Sequence, residues 1–302
     1  MPFSTGSAPP RFDLMRAALL PALLLCLGAI ARAQSPDVDL RIAGAVSTRP
    51  LLDGIIHAMK QEKNLRVAAI ADLTSADAID ALASGTAGMA IITRPLAMED
   101  RDQYPQIRFG VVPIGAEAVA LGVSDDIWDA GLHSISQDAV RAIYEQKVSN
   151  WKQFGGPDEK ISFFNMAQGQ GIWEIFSTWL YGDNRRAPYP KFEKATSSED
   201  ARDSLEFTPG SIAPLAAALV DGSRCHALGV ETKAGIVKPV PAEIASGAYP
   251  MAEPVTVVVN GDPRLNVRAV TEFLTGPEGQ ALMRKSGMMG LDAVPKATPE
   301  PY

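Results

Sequence analysis

The chain has 302 residues, of which 46% are hydrophobic and 21% charged, a composition that excludes collagen-like, coiled-coil and wholly disordered architectures. A formal net charge of −7 argues against a general nucleic-acid binder, which needs basic stripes to meet phosphates. Two cysteines, Cys26 and Cys225, offer no disulfide framework.

Residues 17–30, AALLPALLLCLGAI, carry no charge. The run is shorter than the ~20 apolar residues that cross a bilayer as a helix. Arg16 precedes it and Ala31-Arg32-Ala33 follows, the basic, apolar and small-residue order of a secretory signal peptide. Residues 1–33 are therefore expected to be cleaved off after Ala33, with Met1 or Met15 as the start.

Beyond it, short apolar runs alternate with helical patterns, which indicates an α/β protein. Leu40 to Gly44 reads as a strand. Arg49-Pro50 opens a helix to about Lys63, with Leu52, Ile55, Ile56 and Met59 at helical spacing. Arg66 to Ile70 is a second strand, Ser75 to Ser84 a helix stopped by Gly85, and Met89 to Ile92 a third strand. Two strand-helix-strand units in succession imply parallel strands. Ligands of such sheets bind outside the carboxyl ends of the strands. Those ends are Gly44 to Arg49, Leu73 to Asp77, and Thr93-Arg94, all rich in hydroxyls.

Phe109 to Val123 is a long apolar stretch suited to a strand that crosses between lobes. Ser136 caps a helix to about Gln146, Ile161 to Phe164 is a strand, and a loop at 165–171 leads into a helix from Ile172 to about Tyr181. Tyr249 to Val259 looks like a return strand, and Val267 to Leu274 and Pro277 to Lys285 look like two closing helices. The Pro-rich tail, 293–302, is expected to be loose. Trp151, Trp173 and Trp179 read as packing residues. His57, His133 and His226 have no metal spacing. Cys225-His226 lacks a third orienting group, and no G-x-S-x-G, H-E-x-x-H or P-loop pattern occurs. No catalytic residue, metal or cofactor is expected.

Five segments in order resemble the periplasmic phosphate-binding proteins of ABC importers, a branch of the type II solute-binding fold. They are GAVST at 44–48, SGTAGMAIITRPL at 84–96, AIYEQKVSNW at 142–151, GAYP at 247–250 and TGPEGQ at 275–280. The resemblance implies an α/β, two-lobed type II periplasmic-binding-protein fold, each lobe a mostly parallel sheet flanked by helices. Lobe 1 would be discontinuous, 34–116 and 252–292, and lobe 2 would be 117–251.

The resemblance further implies a periplasmic protein that captures a small oxyanion such as phosphate in the interlobe cleft for an ABC importer permease. Carried over by position, the ligand-binding residues are Ser47, Thr48, Ser75, Thr93 and Arg94, with Gln168, Gly169, Gln170 and Gly171 as the fourth segment. Arg49 adds positive charge. These residues also have structural readings: Ser47, Ser75 and Thr93 as helix caps, and Arg94 as the partner of a surface carboxylate. The sequence departs from the family at Met166, where the family has arginine, and at Gln170 and Ile172, where it has serine and threonine. Gly88 replaces its acidic residue, and Thr74, Ala76 and Asp77 replace the glycines around Ser75. An anion would then be held weakly and mainly by lobe 1. The alternative is a diverged, non-transport member that acts through contacts with another envelope protein, as a sensor or secretion accessory.

Overall fold

In a computed structural model of the protein, residues 38–168, 171–220, 222 and 225–295 are described. The expected signal peptide, Gly169, Gln170 and the tail beyond 295 lie outside the described residues. Among the described residues no helix is long and apolar enough to cross a membrane.

Strand β1 (Leu40–Ala45) passes through a 3-10 turn at Val46–Thr48 into helix α1 (Arg49–Lys63). Pro50 sits in the first turn of α1, where its missing N–H is no loss, while Leu51, Leu52, Ile55 and Met59 are buried on one face. Strand β2 (Val67–Leu73) follows, then α2 (Ser75–Ala83). Thr74 and Asp77 cap α2 reciprocally, each side chain taking the other's backbone N–H. After β3 (Met89–Ile92) and the short α3 (Met98–Gln103) comes β4 (Phe109–Ser124), buried from Ile114 onward.

The middle of the chain holds α4 (Asp125–Asp129), β5 (Ser134–Ser136), α5 (Gln137–Tyr144), β6 (Ser162–Met166) and α6 (Gly171–Tyr181). It continues with β7 (Glu193–Ala195), α7 (Ser198–Phe207), β8 (Ser211–Ala216), β9 (Cys225–Thr232), β10 (Gly235–Val237) and α8 (Pro241–Ala245). Strand β11 (Ala252–Asn260) and helices α9 (Leu265–Thr275) and α10 (Pro277–Lys285) close the chain.

The strands pair in the order β2-β1-β3-β11-β4-β8-β6-β7, with β9 joined to β4, β5 and β10. β1 is parallel to β2 and β3, and β6 is parallel to β7 and β8. β11 runs antiparallel to β3 and β4. β4 is shared: its first half pairs with β11, and its second half with β8 and β9. Apolar side chains pack separately around the two halves. One core gathers Val119, Leu121, Trp151, Phe163, Phe176 and Leu215; another gathers Ile42, Leu52, Ile55, Ile91, Val257 and Val270. A third small core under α2 covers the other face of the first half, around Ile79, Ile92 and Val258. The fold is α/β with two lobes, joined where β4 and β11 lie side by side.

Two of the family-like segments brace that junction. The Tyr249 hydroxyl donates to the Val119 carbonyl at 2.7 Å. The Gln280 amide donates to the Ile114 and Leu274 carbonyls at 3.0 and 2.7 Å and accepts from the Leu291 N–H at 2.8 Å. Trp151 is fully buried, with its indole N–H on the Gly210 carbonyl at 2.9 Å. Ala293, read from sequence as the start of a loose tail, is fully buried instead, at the end of the turn Leu291–Ala293.

Candidate functional site

The carboxyl ends of β1, β2 and β3 bring Ser47, Ser75 and Thr93 to one edge. The Thr93 backbone N–H donates to the Ser75 hydroxyl oxygen at 3.2 Å. The Ser47 hydroxyl donates to Oε2 of Glu117 at 2.9 Å. Glu117 lies on β4, where the strand leaves the first half of the sheet, and is 4% exposed. Gly171, the first residue of α6, backs onto the same carboxylate. A Cβ there would stand 2.8 and 3.0 Å from the Glu117 oxygens and 3.0 Å from the Ser47 Cβ, so no larger residue fits without moving them.

Two cavities share Val46, Ser47 and Gly171. The first, about 360 Å³, is lined also by Arg49, Asp72, Glu117, Thr196, Ser197, Ser198, Glu199 and Ser286. The second, about 230 Å³, is lined also by Thr74, Ser75, Thr93, Arg94 and Glu174. The first residues of α1, α2, α6 and α7 all border this space. Helix starts carry unsatisfied N–H groups and the positive end of the dipole, so such a space suits an anionic group.

The side-chain charges oppose that tendency. Arg49 lies flat on Asp72, its Nε 2.8 Å from Oδ1 and its Nη2 on Oδ2. Arg94 makes a fork on Asp100, with Nη1 to Oδ2 at 2.6 Å and Nη2 to Oδ1 at 2.8 Å, and also donates to the Pro95 carbonyl. That fork holds the Asp100 carboxyl below its ordinary range. Burial pushes the Glu117 carboxyl up to about 7; Ser47's bond eases this, and the nearby Glu174 and Glu253 add to it. Glu253 stands directly opposite Glu117 in the β4–β11 register, and burial raises it too. Burial likewise raises Glu174 in the first turn of α6.

Of the residues expected from sequence, Ser47, Arg49 and Gly171 line the first cavity, and Ser47, Ser75, Thr93, Arg94 and Gly171 line the second. Thr48 does not join them: it is fully buried, and its hydroxyl donates to the Ala45 carbonyl at 2.7 Å, bracing the turn before α1. Gln168 is exposed beyond β6 and lines neither cavity. Gly169 and Gln170 lie outside the described residues. Glu117, Glu174 and the run Thr196-Ser197-Ser198 were not foreseen. Glu117 had a signal, as the one charged residue in the apolar stretch from Phe109 to Val123, since a lone charge inside a buried strand needs a partner or a function. Thr196 to Ser198 serve α7 first: Ser197 accepts from the Asp200 N–H at 3.2 Å and Ser198 from the Ala216 N–H at 3.0 Å.

The Arg94–Asp100 fork predicts its own mutational signature. Arg94→Ala leaves a nearly buried Asp100 without its fork and is expected to lower stability by about 2 kcal/mol. Arg94→Lys is expected to recover less than half, because an ammonium cannot make both bonds. Urea unfolding of the three proteins measures both.

A family model described as a PBP superfamily domain matches residues 31–278. The phosphate-binding protein PstS of Bacillus subtilis is 31% identical over 125 residues, 41% of this chain and 39% of that protein. The phosphate-binding protein PstS of Borreliella burgdorferi is 23% identical over 267 residues, 85% of this chain and 92% of that protein. Among solved structures, an ABC-type phosphate transport receptor from Vibrio cholerae aligns with a TM-score of 0.65 at 19% identity, covering 83% of this chain and 99% of that one.

Proposed function

The chain belongs to the PBP superfamily, and on that premise we propose that it is a periplasmic solute-binding protein that captures a small oxyanion, such as phosphate, and presents it to an ABC importer permease. The observation that carries this is the gathering of four helix starts with Ser47, Ser75 and Thr93 around one space between the lobes. The relatives named as phosphate-binding proteins support the same reading. In it, the leader at 1–33 is removed on export. Lobe 1 comprises 34–116 and 252–292, lobe 2 comprises 117–251, and the ligand is held between them. The proposed activity is binding alone, with no catalytic group and no cofactor.

A thermal-shift screen of residues 34–302 against phosphate, sulfate, molybdate, phosphonates and small carboxylates tests the reading. A ligand at ~100 times its Kd adds about 2.7 kcal/mol to stability, which a melting curve resolves. A rise in melting temperature with at least one oxyanion is expected. No rise with any of them in millimolar excess would overturn the proposal.

One observation favours a second reading, a non-transport member that works through contact with another envelope protein. Glu117 already takes the Ser47 hydroxyl and stands against the start of α6, where an anion would otherwise sit. The same screen separates the two, since a cleft closed to anions gives no rise.

A further inference from the structure

We infer that the solute is a short zwitterion, with an ammonium group beside its oxyanion, and that Glu117 receives the ammonium. This rests on the solute-binding reading and names the class of solute. Glu117 is 4% exposed. Its one hydrogen bond within the protein, among the described residues, is the Ser47 hydroxyl on Oε2; Oε1 has no protein partner, and the side chain lines the cavity. A buried carboxylate left in this state is costly and requires a counter-charge or a proton.

Among the described residues, no cationic side chain bonds to it. The guanidiniums of Arg49 and Arg94 are both engaged, with Asp72 and Asp100. Asp72, Glu117, Glu199 and Glu174 line the two cavities against those two guanidiniums. Among the described residues that line this space, the positive ends that remain are the uncapped first N–H groups of the helices, which are backbone and bear partial charge. The space is thus two-signed: helix N-termini fit an oxyanion, and Glu117 fits a hydrogen-bonding cation a few ångströms away. A bare oxyanion satisfies the first and is repelled by the second. The two cavities, about 360 and 230 Å³ and sharing Val46, Ser47 and Gly171, also leave room for more than one tetrahedral group. The oxyanion end can be a phosphonate or a carboxylate, because both suit helix N-termini.

Titration calorimetry at about pH 8 with matched pairs decides the matter: 2-aminoethylphosphonate against ethylphosphonate, and β-alanine against propionate, with inorganic phosphate alongside. Wild type is expected to bind the ammonium member of at least one pair about tenfold to a hundredfold more tightly, the range of one charge-assisted hydrogen bond. The pair that shows the preference identifies the oxyanion end. In Glu117→Gln the preference is expected to fall to about twofold or less, with ethylphosphonate binding at least as tightly as in wild type. If wild type binds ethylphosphonate or inorganic phosphate as tightly as 2-aminoethylphosphonate, and shows no preference for β-alanine, the inference fails while the oxyanion reading stands. If wild type binds none of the probes, the inference fails, and the thermal-shift screen, which also holds sulfate and molybdate, decides the oxyanion reading separately. The wild-type comparison decides even if the variant does not fold.

Discussion

Glu117→Gln is expected to melt higher than wild type at about pH 8, by on the order of 5–10 °C, with the difference closing toward pH 5. In the folded protein the Glu117 carboxyl is pushed from its ordinary value of 4.5 up to about 7. The charged groups facing it are Glu174 from α6 and Glu253 from β11, both carboxylates, with the Ser47 hydroxyl between β1 and α1. The folded state therefore keeps a proton between about pH 4.5 and 7 that the unfolded chain has released. Stability from this group is fully present below the lower value and is lost as pH rises through the upper one. Each unit of difference corresponds to about 1.4 kcal/mol, so the whole effect is about 3 kcal/mol. Glutamine keeps the size, can still accept from Ser47, and has no charge to bury. Melting curves of both proteins at the two pH values check this. A gap that does not change with pH would show that the carboxylate is not the cause.

Trp151→Ala is expected to cost about 5 kcal/mol. The indole is fully buried in the larger apolar core and donates to the Gly210 carbonyl. Removing it opens a cavity, which costs about 3–5 kcal/mol for an aromatic side chain, and leaves a buried carbonyl without its donor, about 1–3 kcal/mol more. Against the 5–15 kcal/mol that typically holds a domain, the variant would stand at the edge of unfolding. Trp151→Phe keeps most of the volume and loses only the donor, so about 2 kcal/mol is expected. Urea unfolding of both separates packing from hydrogen bonding. An alanine variant that loses less than the phenylalanine one would contradict the burial seen here.

The elements legible in the sequence are those whose signals are local. α1 carries a first-turn proline and an apolar stripe, and α2 carries its reciprocal cap. β1, β2 and β3 are bounded by these helices, so their carboxyl ends, with Ser47, Ser75 and Thr93, could be placed. What stayed hidden depends on distant partners. β8 contains Pro214, which reads against a strand, yet the residue pairs with Leu121 in the second half of β4. β5, β7 and β10 have three residues each, too few to show a period. Thr48 could not be told from Ser47 by residue type; only the turn geometry sends one hydroxyl back to Ala45 and the other to Glu117. The charges of the site were hidden for the same reason. Arg49 meets Asp72 across a strand, and Glu117 meets Ser47 across 70 positions.

The pairing of β11 with β3 also sets an order of events during synthesis. β3 is buried along its whole length, and its edge toward β4 is covered only when Thr256, Val257 and Val258 arrive opposite Ile92, Ile91 and Ala90. At about 5–20 residues per second, that wait is roughly ten to thirty seconds. Throughout it, an apolar strand edge of the kind that templates aggregation lies open. The second half of β4 and the strands β6, β8 and β9 wait less, because their partners lie within one continuous stretch of the middle of the chain. The half of the protein built from the middle of the chain can therefore fold first. The half that begins earliest must be kept from sticking, by a holding chaperone or by its finished neighbour, until the last strand is made.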